Sequence, residues 1–189
     1  MKRIMVTQIG EPSESLVVQE VEDLQPKAGE VLVEMLAIPI HPADLLVMRG
    51  RHVFTANYPC GTGIEGAGRV IAHGPGVDHP RIGQRVALPF GGTWAEQVTI
   101  PAASVIPLPD SVDLHQGAML ALNPVTALGL LMGMKPGQWL LHNAANSSLA
   151  RLITRVAADK GVHSISVVRR AGMEAELKAQ GWDGLQPDA

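Results

Sequence analysis

The amino-acid sequence predicts an α/β protein in which a small, partly open β-barrel is followed by the first part of a doubly wound parallel sheet. Residues 1 to about 110 consist of short apolar runs separated by Gly and Pro, which is typical of small barrels. From residue 139 the order becomes strand, small polar loop, helix, strand and helix, as at the beginning of a doubly wound sheet. We therefore predict one domain over residues 1–122 and a second, incomplete one over residues 123–189.

Four apolar or alternating runs predict strands in the first domain. They cover residues 31–38, 66–72, 85–89 and 93–100. Segments rich in Gly and Pro separate these runs and supply the turns that a small antiparallel barrel needs.

A helical region connects the two predicted domains. Residues 113–132 are rich in Leu, Ala and Met at helical spacing, but Pro124 and Gly129 predict a break or kink rather than one long helix. We expect Met119, Met132 and Met134 to fill the core, because methionine adapts to irregular gaps.

The second domain alternates strands and helices. The sequence predicts a strand over residues 139–142, a helix over 149–160 that Gly161 ends, a strand over 163–168 and a helix over 173–180. Residues 184–189 are a candidate third strand.

Composition and charge exclude several kinds of partner. Hydrophobic residues make up 46% of the chain and aromatic residues only 3%, so the core must be aliphatic. The net charge of -3, with scattered Lys and Arg, gives no reason to expect nucleic acid or an anionic membrane as a partner. Cys60 is the single cysteine, which excludes an internal disulfide and a multi-cysteine zinc site. With no apolar segment approaching ~20 residues and no secretory leader, we expect a soluble, cytoplasmic protein.

The loop at residues 143–148 is a candidate phosphate site. A dinucleotide site needs small residues at three places between strand and helix, and Ala144, Ser147 and Ala150 occupy those places without any glycine. Free N–H groups and hydroxyls at a helix N-terminus bind phosphate well. An ordinary helix start capped by Asn146 or Ser147 is the alternative.

Two arginines after the next strand bear on the choice of coenzyme. Arg169 and Arg170 follow residues 165–168, where an NAD-specific fold usually places an acidic residue. Arginine there accommodates a 2′-phosphate, so the sequence favours NADPH; two solvated surface arginines are the alternative.

Four motifs carry a resemblance to a known family. The residues Asn143, Ala144, Ala145, Asn146, Ser147 and Ser148 look like the phosphate loop of the enoyl reductase branch of the medium-chain dehydrogenase/reductase superfamily. Residues 123–127 are similar to the Asn-Pro-x-Thr-Ala segment of that branch, and residues 64–68 and 92–96 resemble its N-terminal domain. The motifs occur in order along essentially the whole chain.

The resemblance implies a fold, a coenzyme and several site residues. It implies a GroES-like catalytic domain followed by a Rossmann domain that binds NADPH, with homodimers for an intact member. Asn123 and Thr126 would lie against the nicotinamide, with Thr126 counted as catalytic. His41, Asp44 and Trp94 would line the substrate pocket.

The family's zinc ligands are missing from the matching positions. Zinc alcohol dehydrogenases have a cysteine where this chain has His41 and a histidine where it has Ile64. We therefore predict no metal, although His41, Asp44 and Glu65 are an alternative set of ligands.

The proton donor departs from the family pattern. The tyrosine of the enoyl reductases falls on His52 when residues are counted without gaps, and Tyr58 lies elsewhere in the loop, where we expect it to pack. His52 is a candidate donor near neutral pH, and a surface loop histidine is the alternative.

The family resemblance implies an NADPH-dependent reductase that transfers a hydride to the activated double bond of a 2-enoyl thioester carried by CoA or acyl carrier protein. A quinone oxidoreductase of the same fold is an alternative. A truncated, catalytically inactive fragment is an alternative of a different kind, because family members continue through further strands and helices.

Overall fold

The structure is a computed structural model that describes residues 1–53, 56–170 and 172–179. It divides into two compact units, Met1–Leu122 and Asn123–Ala189. The first unit contains two sheets and the second contains one, and each unit has its own clusters of buried side chains. Among the described residues, no helix is long and apolar enough to cross a membrane.

The first unit is built mainly of short antiparallel strands. Its described elements are β1 (Lys2–Val6), α1 (Pro12–Ser15), β2 (Leu16–Glu20), β3 (Glu30–Ala37), α2 (Pro42–Met48), β4 (Cys60–Gly61), β5 (Glu65–His73), β6 (Arg85–Pro89), β7 (Gln97–Pro101), a 3-10 turn (Ala102–Ser104), β8 (Ile106–Pro107) and α3 (Leu114–Ala118). The strands form a five-stranded sheet in the order β7-β3-β5-β6-β8 and a three-stranded sheet in the order β2-β1-β4. The predicted fold class is confirmed for this part of the chain.

The strand predicted over residues 93–100 is divided between the two sheets. Only Gln97–Pro101 pairs with β3 in the larger sheet. The preceding residues follow β1 of the smaller sheet, where Ile4 N donates to Trp94 O at 2.8 Å and Glu96 N donates to Lys2 O at 3.0 Å. The alternation in the sequence runs through both halves, although Trp94 and Glu96 form bends and only Gln97–Pro101 is a strand.

An aliphatic core lies against the larger sheet. Val31, Val33, Val70, Val86 and Leu88 are fully buried in it. Full burial of such a side chain contributes about 1.5–3 kcal/mol, so these residues supply the stability that the scarce aromatics cannot.

The second unit contains the predicted strand-loop-helix order. Its described elements are α4 (Asn123–Leu130), β9 (Trp139–His142), α5 (Ser148–Asp159), β10 (His163–Ser166) and α6 (Met173–Ala179). β9 and β10 are parallel, with Trp139 opposite His163 and His142 opposite Ser166. Gly161 follows α5 with a φ of 67°, as its predicted role requires. The candidate third strand over residues 184–189 and the end of the predicted helix at Gln180 lie outside the described residues.

The predicted helical region over residues 113–132 is broken, but not at its proline. α3 ends at Ala118 and α4 begins at Asn123. Pro124 therefore lies in the first turn of α4, where its missing N–H has no intrahelical partner to lose.

The prediction that Met132 fills the core is wrong, because its side chain is 80% exposed. The preceding residue, Leu131, is fully buried, and adjacent residues of a turn point in different directions. Met119 is also partly exposed, at 38%, whereas Met134 packs against the cluster around Leu131.

Candidate functional site

A cavity of about 490 Å³ lies in the second unit, at the carboxyl ends of β9 and β10. Parallel strands that are neighbours end at the same edge of a sheet, and ligands of doubly wound folds bind at that edge. Six of the residues predicted to bind the coenzyme line this cavity: Asn143, Ala144, Asn146, Ser147, Arg169 and Arg170. The loop and the arginine pair, which were predicted from separate motifs, are thus in one place.

The loop backbone takes a tight turn between strand and helix. Ala144 has a φ of 54°, in the left-handed region that glycine usually occupies, and Ser147 N donates to Ala144 O at 2.8 Å. Ser147 is the N-cap of α5, since its Oγ accepts a hydrogen bond from Ala150 N at 3.1 Å. Ser148 is the first residue of α5 and does not line the cavity.

The cavity is electrostatically suited to an anion. Arg169 and Arg170 are exposed, and neither has an ion-pair partner within the described part of the chain. No carboxylate is among the described residues that line the cavity. The N-terminus of the twelve-residue α5 adds N–H groups that have no intrahelical acceptor. These residues fit the phosphates of a dinucleotide.

A hydrogen-bonded histidine lies where the two strands end. His142 Nε2 and Ser166 Oγ are 2.9 Å apart, and Thr154 Oγ1 of α5 is 3.5 Å from the same nitrogen. Burial lowers the pKa of His142, and a hydrogen bond to the backbone of Asn143 acts in the opposite direction. Neither His142 nor Ser166 is among the predicted site residues. The parallel register of two strands that end in polar side chains is the signal that could have identified them.

A buried acid cluster lies in the first unit. His41 Nε2 is 2.7 Å from Glu65 Oε1, and Glu65 Oε2 accepts hydrogen bonds from Ala121 N at 2.9 Å and Leu122 N at 2.8 Å. Glu65 is 1% exposed. Its carboxylate therefore joins the start of β5 and the segment that closes the first unit.

Asp44 lies in the first turn of α2, close to His41. Its Oδ2 accepts a hydrogen bond from His41 N at 2.7 Å, whereas its buried Oδ1 has no hydrogen-bond partner among the described residues. Burial raises the pKa of Asp44, and its contacts with His41 lower it less strongly. No group of three His, Cys, Asp or Glu side chains within residues 1–53, 56–170 and 172–179 is arranged to hold a metal ion.

Of the residues predicted to form the substrate pocket, Trp94 alone lines the apolar groove of the first unit. Trp94 lines an apolar groove of about 460 Å³ together with Ile4, Val18, Met35, Ile38 and Ile40. Its Nε1 donates to Pro39 O at 3.4 Å. His41 and Asp44 do not line this groove and lie at the acid cluster instead.

The two predicted catalytic residues lie in different units. His52 is half-buried in the segment after α2, and Thr126 is half-buried on α4. Asn123 lies three residues before Thr126, so the two are neighbours on one face of that helix. Neither Asn123 nor Thr126 lines the cavity at Arg169. Tyr58 packs with the Met48 cluster and donates its hydroxyl hydrogen to Val47 O at 2.8 Å.

Comparisons with known proteins agree with this architecture. The alcohol dehydrogenase GroES-like domain family matches residues 27–110. The mitochondrial enoyl-[acyl-carrier-protein] reductase of Homo sapiens is 31% identical over 166 residues, which are 85% of this chain and 44% of that protein.

Solved structures show the same relationship. A protein of Bacillus thuringiensis assigned as an NADPH:quinone reductase superposes with a TM-score of 0.90 at 32% identity, over 97% of this chain and 57% of that one. A mycobacterial protein solved in complex with NADPH has a TM-score of 0.86 at 30% identity, over 100% of this chain and 60% of that one. This chain therefore spans about half the length of the curated relatives it matches. Along nearly its whole length the chain is therefore similar to enoyl reductases and quinone oxidoreductases of the medium-chain dehydrogenase/reductase superfamily.

Proposed function

We propose that this chain is the coenzyme-recognising part of an NADPH-dependent reductase that acts on the activated double bond of a 2-enoyl thioester. The observation that carries the proposal is the meeting of the loop at residues 143–147 with Arg169 and Arg170 in one cavity that lacks carboxylates among its described lining residues. NADPH would supply a hydride to the β-carbon of the substrate. An enoyl thioester is favoured because the human relative is named an enoyl-[acyl-carrier-protein] reductase.

The predicted coenzyme-binding residues have proposed roles both in the cavity and beside it. Asn143, Asn146, Ser147 and Ser148 and the N-terminus of α5 hold the pyrophosphate, because amide and hydroxyl donors there meet the positive end of the helix. Arg169 and Arg170 pair with the 2′-phosphate, which NADH lacks. Asn123 and Thr126, on one face of α4, orient the nicotinamide, as the family resemblance implies.

The proposed chemistry does not use zinc. His41 stands where zinc-dependent relatives have a cysteine, and its Nε2 already contacts Glu65. Ile64 offers no ligand atom where those relatives have a histidine. His52 or water is the proposed proton donor; Tyr58 is given no such role, and its hydroxyl donates to Val47 O.

The compartment and the assembly are also proposals. The single free cysteine, Cys60, suits a reducing compartment such as the cytoplasm. A homodimer is proposed for the intact enzyme on the family resemblance.

A quinone reductase is the second candidate. It is favoured by His52 at the position of the enoyl reductase tyrosine and by the TM-score of 0.90 to the Bacillus thuringiensis protein. Both reductases would use NADPH, and they would differ in the molecule that accepts the hydride.

The first test measures the binding of NADPH and of NADH to the purified chain, with nicotinamide fluorescence as the signal. We expect Arg169→Ala to weaken NADPH binding by roughly tenfold or more, since a hydrogen bond to a charged group contributes about 1.5–3 kcal/mol, and to leave NADH binding nearly unchanged. Arg155→Ala is the matched control, because Arg155 is an exposed arginine on α5 that does not line the cavity. Equal effects of the two variants on both coenzymes would refute the assignment of Arg169.

The acceptor is tested in a second step, by following NADPH oxidation with crotonyl-CoA and with a simple quinone. Turnover of the thioester supports the first proposal, and turnover of the quinone alone supports the second. Coenzyme binding without turnover of either acceptor would assign the chain to the inactive-fragment alternative.

A further inference from the structure

The ends of β9 and β10 are tied together by side chains as well as by the backbone. His142 and Ser166 are register partners in the parallel pair, and their side chains are 2.9 Å apart. Ser166 is buried, at 6% exposure, and Val167 N donates to His142 O at 2.8 Å. Asn143, the first residue of the loop, follows His142 directly. Val167, which leads to the arginines, follows Ser166 directly.

The surroundings of His142 favour one tautomer. Its Nδ1 is 3.4 Å from Asn143 O, a group that only accepts hydrogen bonds, so Nδ1 carries the hydrogen. Nε2 is then an acceptor for the hydroxyl hydrogen of Ser166. Burial, which lowers the pKa of His142, favours the same neutral ring. Thr154 Oγ1, at 3.5 Å from Nε2, places α5 beside the same contact.

This contact lies directly before both halves of the coenzyme cavity. The loop at residues 143–147 forms one wall, and residues 167–170 form the other. The distance between the walls decides whether a ligand held by its pyrophosphate on the first can place a 2′-phosphate against the second. A displacement of about 1 Å in such a site is enough to change binding strongly.

We propose that His142 is a positioning residue for coenzyme selectivity: by accepting a hydrogen bond from Ser166, it fixes the spacing between the phosphate loop and the arginine pair. This inference rests on the proposed function, because it concerns the same cavity. His142 is not among the described residues that line the cavity, so its proposed effect on binding passes through the two strand ends.

The test compares variants that remove or keep the hydrogen bond in the full 189-residue chain. Ser166→Ala removes the donor and Ser166→Thr keeps it. Ser164→Ala is the matched control, since Ser164 lies two residues earlier on β10 and therefore on the same face. His142→Leu and His142→Gln form a second pair, in which glutamine retains an acceptor.

The readouts are the dissociation constants of NADPH and NADH and the imidazole tautomer of His142 in ¹⁵N NMR. We expect Ser166→Ala to raise the NADPH constant by roughly fivefold or more, because one hydrogen bond contributes about 1 kcal/mol, and to lower the preference for NADPH over NADH. The NADPH dissociation constant and the preference for NADPH over NADH should both stay unchanged in Ser166→Thr, His142→Gln and Ser164→Ala. The Nδ1–H tautomer should dominate in the wild type and lose population in Ser166→Ala.

Several results would overturn the inference. A folded Ser166→Ala variant with unchanged NADPH preference would remove the link between the hydrogen bond and selectivity. If Ser166→Thr weakened NADPH binding as much as Ser166→Ala does, or if Ser164→Ala had an equal effect, the contact would contribute only general packing and not a specific hydrogen bond. If the wild-type chain bound neither coenzyme, the proposed function itself would fall and this inference with it. If the wild-type chain prefers NADPH and every variant keeps that preference, the inference is refuted while the proposed function stands.

Discussion

Replacement of Glu65 by Gln tests the acid cluster of the first unit. The wild-type carboxylate is 1% exposed and makes three contacts, to His41 Nε2 at 2.7 Å, to Ala121 N at 2.9 Å and to Leu122 N at 2.8 Å. Glutamine has nearly the same shape but no charge. Its oxygen still accepts from the two backbone N–H groups, and its nitrogen faces His41.

The magnitude follows from these three contacts. A hydrogen bond to a charged group contributes about 1.5–3 kcal/mol against about 1 kcal/mol for a neutral one, so the three contacts together lose about 3 kcal/mol. For a unit of this size that corresponds to a fall of roughly 10 °C in the unfolding midpoint. Complete removal of one partner of a buried pair would cost about 3–5 kcal/mol, so Glu65→Ala should be worse.

Glu34→Gln is the matched control for Glu65→Gln. Glu34 is 2.8 Å from Arg69 on neighbouring strands, but both side chains are exposed, at 41% and 50%. Such surface pairs contribute about 0–1 kcal/mol, so the control should shift the midpoint by no more than about 4 °C.

Thermal unfolding followed by circular dichroism measures the midpoint, and amide hydrogen exchange of Ala121 and Leu122 gives a local readout. Faster exchange at these two amides is expected in Glu65→Gln and not in Glu34→Gln. If the two variants lose the same stability, or if these amides exchange as in the wild type, the buried carboxylate does not hold this segment.

Three further substitutions test local geometry. Ala144→Gly should stabilise the second unit by about 1 kcal/mol, because Ala144 has a φ of 54° where glycine is unstrained; a lower unfolding midpoint would contradict this. Gly68→Ala should destabilise the first unit by about 3 kcal/mol or more in urea unfolding, since the new Cβ would overlap the backbone oxygen of Glu34; a loss below about 1 kcal/mol would show that β3 and β5 separate easily. Asp44→Asn should stabilise the chain at neutral pH, because burial raises the pKa of Asp44 and so makes its charged form costly. That gain should shrink as the pH falls through the raised pKa of folded Asp44 and vanish below the ordinary value of 3.8, where aspartate is mostly neutral in both states; a gain independent of pH would refute the reasoning.

Strands could be predicted where their burial produces a run or an alternation of apolar residues in the sequence. Strands without such a pattern were missed. Residues 85–89 are an apolar run, and β6 has those same bounds. β2, by contrast, is an edge strand whose residues are mostly exposed, so no alternation of apolar and polar residues marks it. α2 was missed although Pro42 in its first turn is an ordinary helix-start signal.

The part of the candidate site that consists of side chains following the strands could be predicted from the sequence. The loop at residues 143–147 and Arg169 follow neighbouring strands, so topology alone brings them together. The contacts of Glu65 with Ala121 N and Leu122 N were not predictable in this way, because backbone amides have no signature in the sequence. Asp44 and Trp94 were grouped by resemblance; in the structure Trp94 lines the apolar groove and Asp44 contacts His41.

The side chain of Ser147 is held in one position by the helix that it caps. Its Oγ accepts a hydrogen bond from Ala150 N, which fixes the rotamer of the side chain and leaves the hydroxyl hydrogen only orientations that point away from that amide. A phosphate that binds in this cavity therefore costs less side-chain conformational entropy at Ser147 than at an unrestrained serine. Calorimetry on Ser147→Ala should register that difference in the entropic part of binding as well as in the enthalpic part.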